Sequence, residues 1–184
     1  FANKIKTKYD HLDVLINNAG AQFGNKREVT IEGHEKIMMI NVFATFLLTT
    51  LLLDLLRKSP STRVVTVSSA SHKMSGKPYL DDIELKDNYT MSRAYGLSKL
   101  YIIWVMRHFV TEMKKAGTGN ITFNTVHPGS VNTSLGRVST KDWMTKIIYF
   151  LLKPMMISLA NGSKSSIEAA VSPILEGVTV HYFG

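Results

Sequence analysis

Tyr95 and Lys99 stand four residues apart, so in a helix they place a phenol and an ammonium on one face, a turn from each other. A cation within a few ångströms of a phenol favours its phenolate. The hydroxyls of Ser68 and Ser69 follow directly on the β-branched run Arg63–Val67, where a strand would end. Two more clusters close strand-like runs: Asn17-Asn18-Ala19-Gly20 and Pro128-Gly129. Other chemistries drop out. The chain has no cysteine, which removes thiolate nucleophiles, thiolate metal sites and disulfides. The six histidines (His11, His34, His72, His108, His127, His181) are scattered with no HExxH or similar ligand spacing, and no metal site is read from them.

These residues need elements to bring them together. Phe1, Ile5 and Tyr9 repeat as the tail of an amphipathic helix would. Asp13–Asn17 is a short apolar run, a buried strand closed by Asn18-Ala19-Gly20. Thr30 is the expected N-cap of a long helix reaching Lys58 and stopped by Ser59-Pro60. A second buried strand, Arg63–Val67, leads into a polar stretch with Gly76 and Pro78. Ala94–Ala116 is helical with Gly117 at its C-terminal cap, and Ile121–Val126 is a third strand. Asp142–Ile157 reads as helix or helices, Ser163–Leu175 as another helix, and Val178–Phe183 as an alternating fourth strand.

Strands alternating with helices form an α/β pattern, and continuous apolar strands favour a parallel sheet covered on both faces. In such sheets ligands bind beyond the carboxyl ends of the strands. Asn17–Gly20, Ser68-Ser69 and Pro128-Gly129 all fall there, with Tyr95 and Lys99 opening the helix between the second and third strands. One crevice is thereby assembled from distant parts of the chain. There is no internal repeat or linker, so residues 1–184 form a single domain.

Composition bounds the alternatives. Of 184 residues, 45% are hydrophobic and 20% charged, ordinary for a folded domain. The net charge of +8 comes from basic residues in ones, twos and alternations such as Lys4, Lys6 and Lys8. No run suits nucleic acid. A solvated basic surface accounts for the charge, and attraction to an anionic membrane is the other reading. The longest apolar stretch, Val42–Leu56, is interrupted by threonines and Asp54 and falls short of the ~18–20 residues that span a bilayer. With no leader segment and no cysteine, a cytoplasmic location is expected, with membrane association as the alternative. Asn88-Tyr-Thr, Asn132-Thr-Ser and Asn161-Gly-Ser fit the glycosylation pattern and are read as chance.

Taken together, LDVLINNAG, VVTVSSAS, YGLSK and VHPGSVNT resemble the short-chain dehydrogenase/reductase family over essentially the whole chain. The 26-residue gap from Ser69 to Tyr95 is similar to the retinol-dehydrogenase-like branch. The resemblance implies a Rossmann-type, doubly wound parallel sheet, of which this chain is the C-terminal portion, strands 4 to 7 of the family fold. It implies that an alcohol and a carbonyl are interconverted with NADP or NAD, NADP being favoured. Tyr95 would be the general acid/base, and Lys99 would lower its pKa and hold the cofactor ribose. Ser69 would orient the carbonyl oxygen, and Asn41 would anchor a water in the proton relay. Asn17, Ala19 and Gly20 would pass beside the adenine ribose and stabilise the sheet. Pro128, Gly129, Val131 and Thr133 would reach the nicotinamide and its phosphates.

The apolar segment after that loop (Trp143, Met144, Ile147, Ile148, Tyr149, Phe150 and onward) covers the substrate in the family. It suits a lipophilic substrate such as a retinoid, steroid or long-chain aldehyde, or peripheral contact with a membrane. Packing against the protein body or a homo-oligomer partner accounts for it equally well. The family's glycine-rich phosphate loop and its NAD/NADP-selecting residue have no match here, which places roughly 60 residues before Phe1 at ~30 per βα unit. The strand Asp13–Asn17 would then present an unpaired edge, and the isolated chain is expected to self-associate. A catalytically silent scaffold on the same fold is the alternative function; the complete Ser, Tyr, Lys and Asn set speaks against it.

Overall fold

The computed structural model describes residues 1–129 and 158–184. Four strands lie side by side in chain order, all parallel: β1 (Val14–Asn17), β2 (Thr62–Val67), β3 (Ile121–Val126) and β4 (Tyr182–Phe183). Register is in step across the sheet, with Val14 opposite Arg63, Thr62 opposite Ile121, and Val126 opposite Phe183. Helices α1 (Ala2–Lys8), α2 (Lys36–Lys58), α3 (Met91–Lys115) and α4 (Leu159–Val171) connect and cover the strands.

The alternation of strand side chains sends them to two cores. Val64, Ile121 and Phe123 face α2 and α3 in the larger one, where Leu52, Leu56, Ile102 and Met106 are buried. The Phe109 and Phe123 rings stack there at 5.4 Å. Val65 and Val126 face the other way, onto Ala169 and Ala170 of α4. Both faces of the sheet are therefore covered, as continuous apolar strands require. At the β1 edge Val14 and Ile16 remain exposed.

The long helix starts later than Thr30. That residue instead closes a turn in which its amide donates to His34 O and Gly33 adopts φ +87°. The cap is Glu35, 2% exposed, whose carboxylate accepts from Ile37 N and Met38 N at 3.0 and 2.7 Å. Within α2, Met39–Phe43 forms one π-helical turn. At 23 residues and mean hydropathy 2.0 in its most apolar window, α2 is long and apolar enough to cross a membrane, unlike Val42–Leu56 read alone. Yet Thr45, Thr49, Leu52, Leu55 and Leu56 lie buried in the fold.

Helix α3 also differs at its start. Thr90 Oγ1 accepts from Arg93 N and caps the helix, which starts at Met91, three residues before Ala94. Its end is as expected, with Gly117 at φ +68°. Helix α4 begins at Leu159, capped by Ser158, and stops at Val171, because Pro173 cannot continue it and opens a short 3₁₀ turn, Pro173–Leu175. The fourth strand is shorter than Val178–Phe183. Val180 takes φ +67°, and the Asn124 side chain replaces the regular ladder, donating to Val178 O and accepting from His181 N. The expected helix Asp142–Ile157, its apolar residues and Asn132 lie outside the described residues.

Candidate active site

At the carboxyl ends of β1, β2 and β3 opens a crevice of about 1190 Å³. Ala19 and Gly20, Ser68 and Ser69, Tyr95 and Lys99, and Pro128 and Gly129 all line it. The expected crevice is therefore present, built from four separated segments. Val131 and Thr133 lie outside the described residues.

Lys99 is 4% exposed, and Nζ donates to Val67 O at 3.0 Å. The same nitrogen sits 5.7 Å from the centroid of the Tyr95 ring. Burial lowers the Lys99 pKa from 10.5 to about 8, which still leaves the amine mainly protonated at neutral pH. Tyr95 is half-buried, and burial raises its pKa above 10, with the Ser69 side chain pulling the other way. The ammonium lies toward the ring and spends a proton on Val67 O, while desolvation of the phenolate dominates. Tyr95 is a neutral phenol here.

Ser69 ends the strand and caps the 3₁₀ turn Ala70–Met74, its Oγ accepting from Ser71 N and donating to Ser71 Oγ, both at 3.2 Å. Ser68 serves packing: its buried hydroxyl donates to Lys99 O at 2.8 Å, joining β2 to α3. Gly96 lets that turn lie against the helix, since a Cβ there would meet Ser71 O at 2.8 Å and Ser75 Cβ at 2.9 Å.

Asn41 lies in the π turn and is 2% exposed. Its Oδ1 accepts from Ala21 N at 2.8 Å, and Nδ2 donates to Ala21 O and to Ser98 Oγ at 3.0 and 2.9 Å. Ser98 in turn donates to Tyr95 O at 2.7 Å. The chain of bonds from the Ala21 loop through Asn41 and Ser98 thus reaches the backbone of the candidate acid. Ser98 was not singled out by the sequence reading; only its place before Lys99 hinted at it. A Cβ on Gly20 would lie 3.2 Å from Lys99 Nζ and 3.4 Å from Asn41 Oδ1, so a side chain there would crowd both.

Asn17 points into the fold. Its Nδ2 donates to Thr49 Oγ1 and Thr66 Oγ1, each at 3.2 Å, tying β1 to α2 and β2. Asn18 takes the place on the crevice wall. His127 also lines it, with a pKa lowered by burial and then by the charges of His72 and Lys73.

The family model described as short chain dehydrogenase matches residues 1–81. Human polyprenol dehydrogenase is 38% identical over 99% of this chain and 55% of its own length. Human retinol dehydrogenase 14 is 37% identical over 100% of this chain and 54% of its own. The chain spans about half the length of the curated relatives it matches. An Escherichia coli chain solved in complex with NADPH superposes with a TM-score of 0.67 at 21% identity, over 99% of this chain and 66% of that one. The chain is thus similar to retinol and polyprenol dehydrogenases over nearly all of its length, and its first 81 residues match the short chain dehydrogenase family.

Proposed function

We propose that the intact protein interconverts an alcohol and a carbonyl on a lipophilic substrate with a nicotinamide cofactor, NADP being favoured. The observation that carries this is the meeting of Ser69, Tyr95 and Lys99 at one crevice. The residues present fit a dinucleotide. The crevice of about 1190 Å³ exceeds an ordinary small-molecule pocket of roughly 300–1,000 Å³ and has room for cofactor and substrate. Gly20 offers bare backbone beside Lys99 and Asn41. Lys99 Nζ donates to one carbonyl among the described residues, leaving N–H groups for a ribose diol.

When bound, the nicotinamide supplies or accepts the hydride. Tyr95 donates its phenolic proton to the carbonyl oxygen in reduction and takes it back in oxidation. Ser69 Oγ turns its one proton from Ser71 Oγ to the same oxygen and orients it. The Lys99 ammonium stabilises the phenolate once the proton has left. Asn41 and Ser98 hold the backbone at Tyr95. The names of the two human relatives, a retinol and a polyprenol dehydrogenase, support a lipophilic alcohol or aldehyde as substrate. Peripheral contact with a bilayer on its cytoplasmic side belongs to the same reading, because such substrates partition into membranes.

The test is NADPH and NADH oxidation by the intact protein with retinal, alongside Tyr95→Phe. Loss of turnover by about 10²–10⁴-fold with cofactor affinity retained is expected when a positioned proton donor is removed. Full turnover in Tyr95→Phe overturns the assignment. Cofactor binding without turnover in the parent protein favours the silent scaffold.

A further inference from the structure

Ser69 must present its hydroxyl to a substrate oxygen, yet it stands where a strand ends and a short turn begins. Behind it the described residues form a support that the reaction above leaves unused. The Ser69 carbonyl accepts from His72 N at 3.1 Å and lies 2.7 Å from His72 Nδ1. A carbonyl only accepts, so His72 carries its proton on Nδ1. The His72 ring meets the Tyr182 ring edge-on, centroids 5.0 Å apart. Tyr182 belongs to β4, held by the ladder that pairs it with Thr125. Its hydroxyl is buried and has no hydrogen-bond partner among the described residues.

We propose that His72, braced by Tyr182, is a positioning residue that fixes Ser69 opposite Tyr95 by donating from Nδ1 to the Ser69 carbonyl. This rests on the oxidoreductase reading above. The side-chain bond holds the peptide plane after Ser69, and the tyrosine ring prevents the imidazole from swinging away. Without the donor, the Ser69 peptide keeps only the His72 amide at 3.1 Å and the long Ala70 N to His127 Nδ1 bond at 3.4 Å, and its Oγ is left to the single Ser71 amide at 3.2 Å to set its direction.

The experiment compares the intact protein with His72→Phe, His72→Asn and Tyr182→Ala, using NADPH and retinal, and with Tyr95→Phe. His72→Phe keeps a ring and removes the donor, so kcat falls about tenfold, the worth of one good net hydrogen bond, while NADPH affinity holds. His72→Asn restores an N–H donor and recovers kcat to within about threefold, and Tyr182→Ala repeats the loss seen with phenylalanine. Equal kcat in His72→Phe and the parent, or equal damage in His72→Asn and His72→Phe, overturns the proposal. Nitrogen-15 spectra of the histidine-labelled protein read the clamp independently of turnover. A His72 that carries a proton on Nδ1 is expected, and one with a bare Nδ1 overturns it. Turnover that survives Tyr95→Phe instead removes the oxidoreductase reading, and the spectra still decide the clamp.

Discussion

Replacing Lys99 by methionine separates what the site needs from what the fold prefers. Burial pulls the Lys99 pKa from 10.5 down to about 8, a gap of about 2.5 pH units, worth roughly 3 kcal/mol at 1.36 per unit. The folded chain holds this proton less tightly than the unfolded chain, so folding carries the full penalty below pH 8. Between about 8 and 10.5 the folded state releases its proton first, the unfolded state binds more protons, and stability rises. Above 10.5 the penalty is gone. Lys99→Met removes the titration and fills the same buried volume, but leaves Val67 O without its donor, a loss of about 1 kcal/mol. The variant should therefore be more stable than the parent by about 2 kcal/mol at pH 7, while losing turnover. Urea unfolding of both proteins at intervals from pH 7 to 10.5 checks this, because groups common to both cancel in the difference. The advantage of Lys99→Met should shrink by roughly 3 kcal/mol across that window. A difference that stays flat with pH refutes the reasoning.

Three other perturbations probe the scaffold. Gly96→Ala should destabilise by about 1–3 kcal/mol and lower kcat, read by urea melts and turnover together, because its Cβ would strike Ser71 O and displace the turn that carries Ser69. Asn41→Leu should cost about 2–4 kcal/mol, since it leaves Ala21 N, Ala21 O and Ser98 Oγ without their partner; thermal melts report the loss. Thr90→Ala should cost about 1 kcal/mol in urea midpoints with little change in turnover, as the cap it removes lies on an exposed loop.

The parts of the fold legible in the sequence are those governed by local rules. Runs such as Val64-Val65 and Ile121–Val126 announce buried strands, and their ends announce where a crevice must lie. Tyr95 and Lys99 meet because helical spacing places them together. Other features depend on contacts between distant residues. Glu35 caps α2 because it is buried against the loop of Glu84, whose carboxylate accepts its amide at 2.6 Å, whereas residue type alone pointed to Thr30. Ser98 acquires its importance only when α2 delivers Asn41 beside it. No propensity places a β-branched valine at φ +67°, so the break at Val180 in the fourth strand could not be foreseen. The direction of the Tyr95 pKa likewise follows from desolvation, which spacing does not encode.

The π turn at Met39–Phe43 amounts to an edit in an otherwise regular helix. Such a turn holds one residue more than the helix around it needs. An extra residue in an unbroken α-helix would rotate everything after it by about 100°, given 3.6 residues per turn. Here the loop in the winding absorbs the surplus, so Thr45, Thr49, Leu52 and Leu56 keep their places in the core while Asn41 turns toward Ala21 and Ser98. The site and the core are thus separable within one helix. Removing a single residue from the turn would return a plain helix whose apolar face still suits the core, stripped of the link to Tyr95.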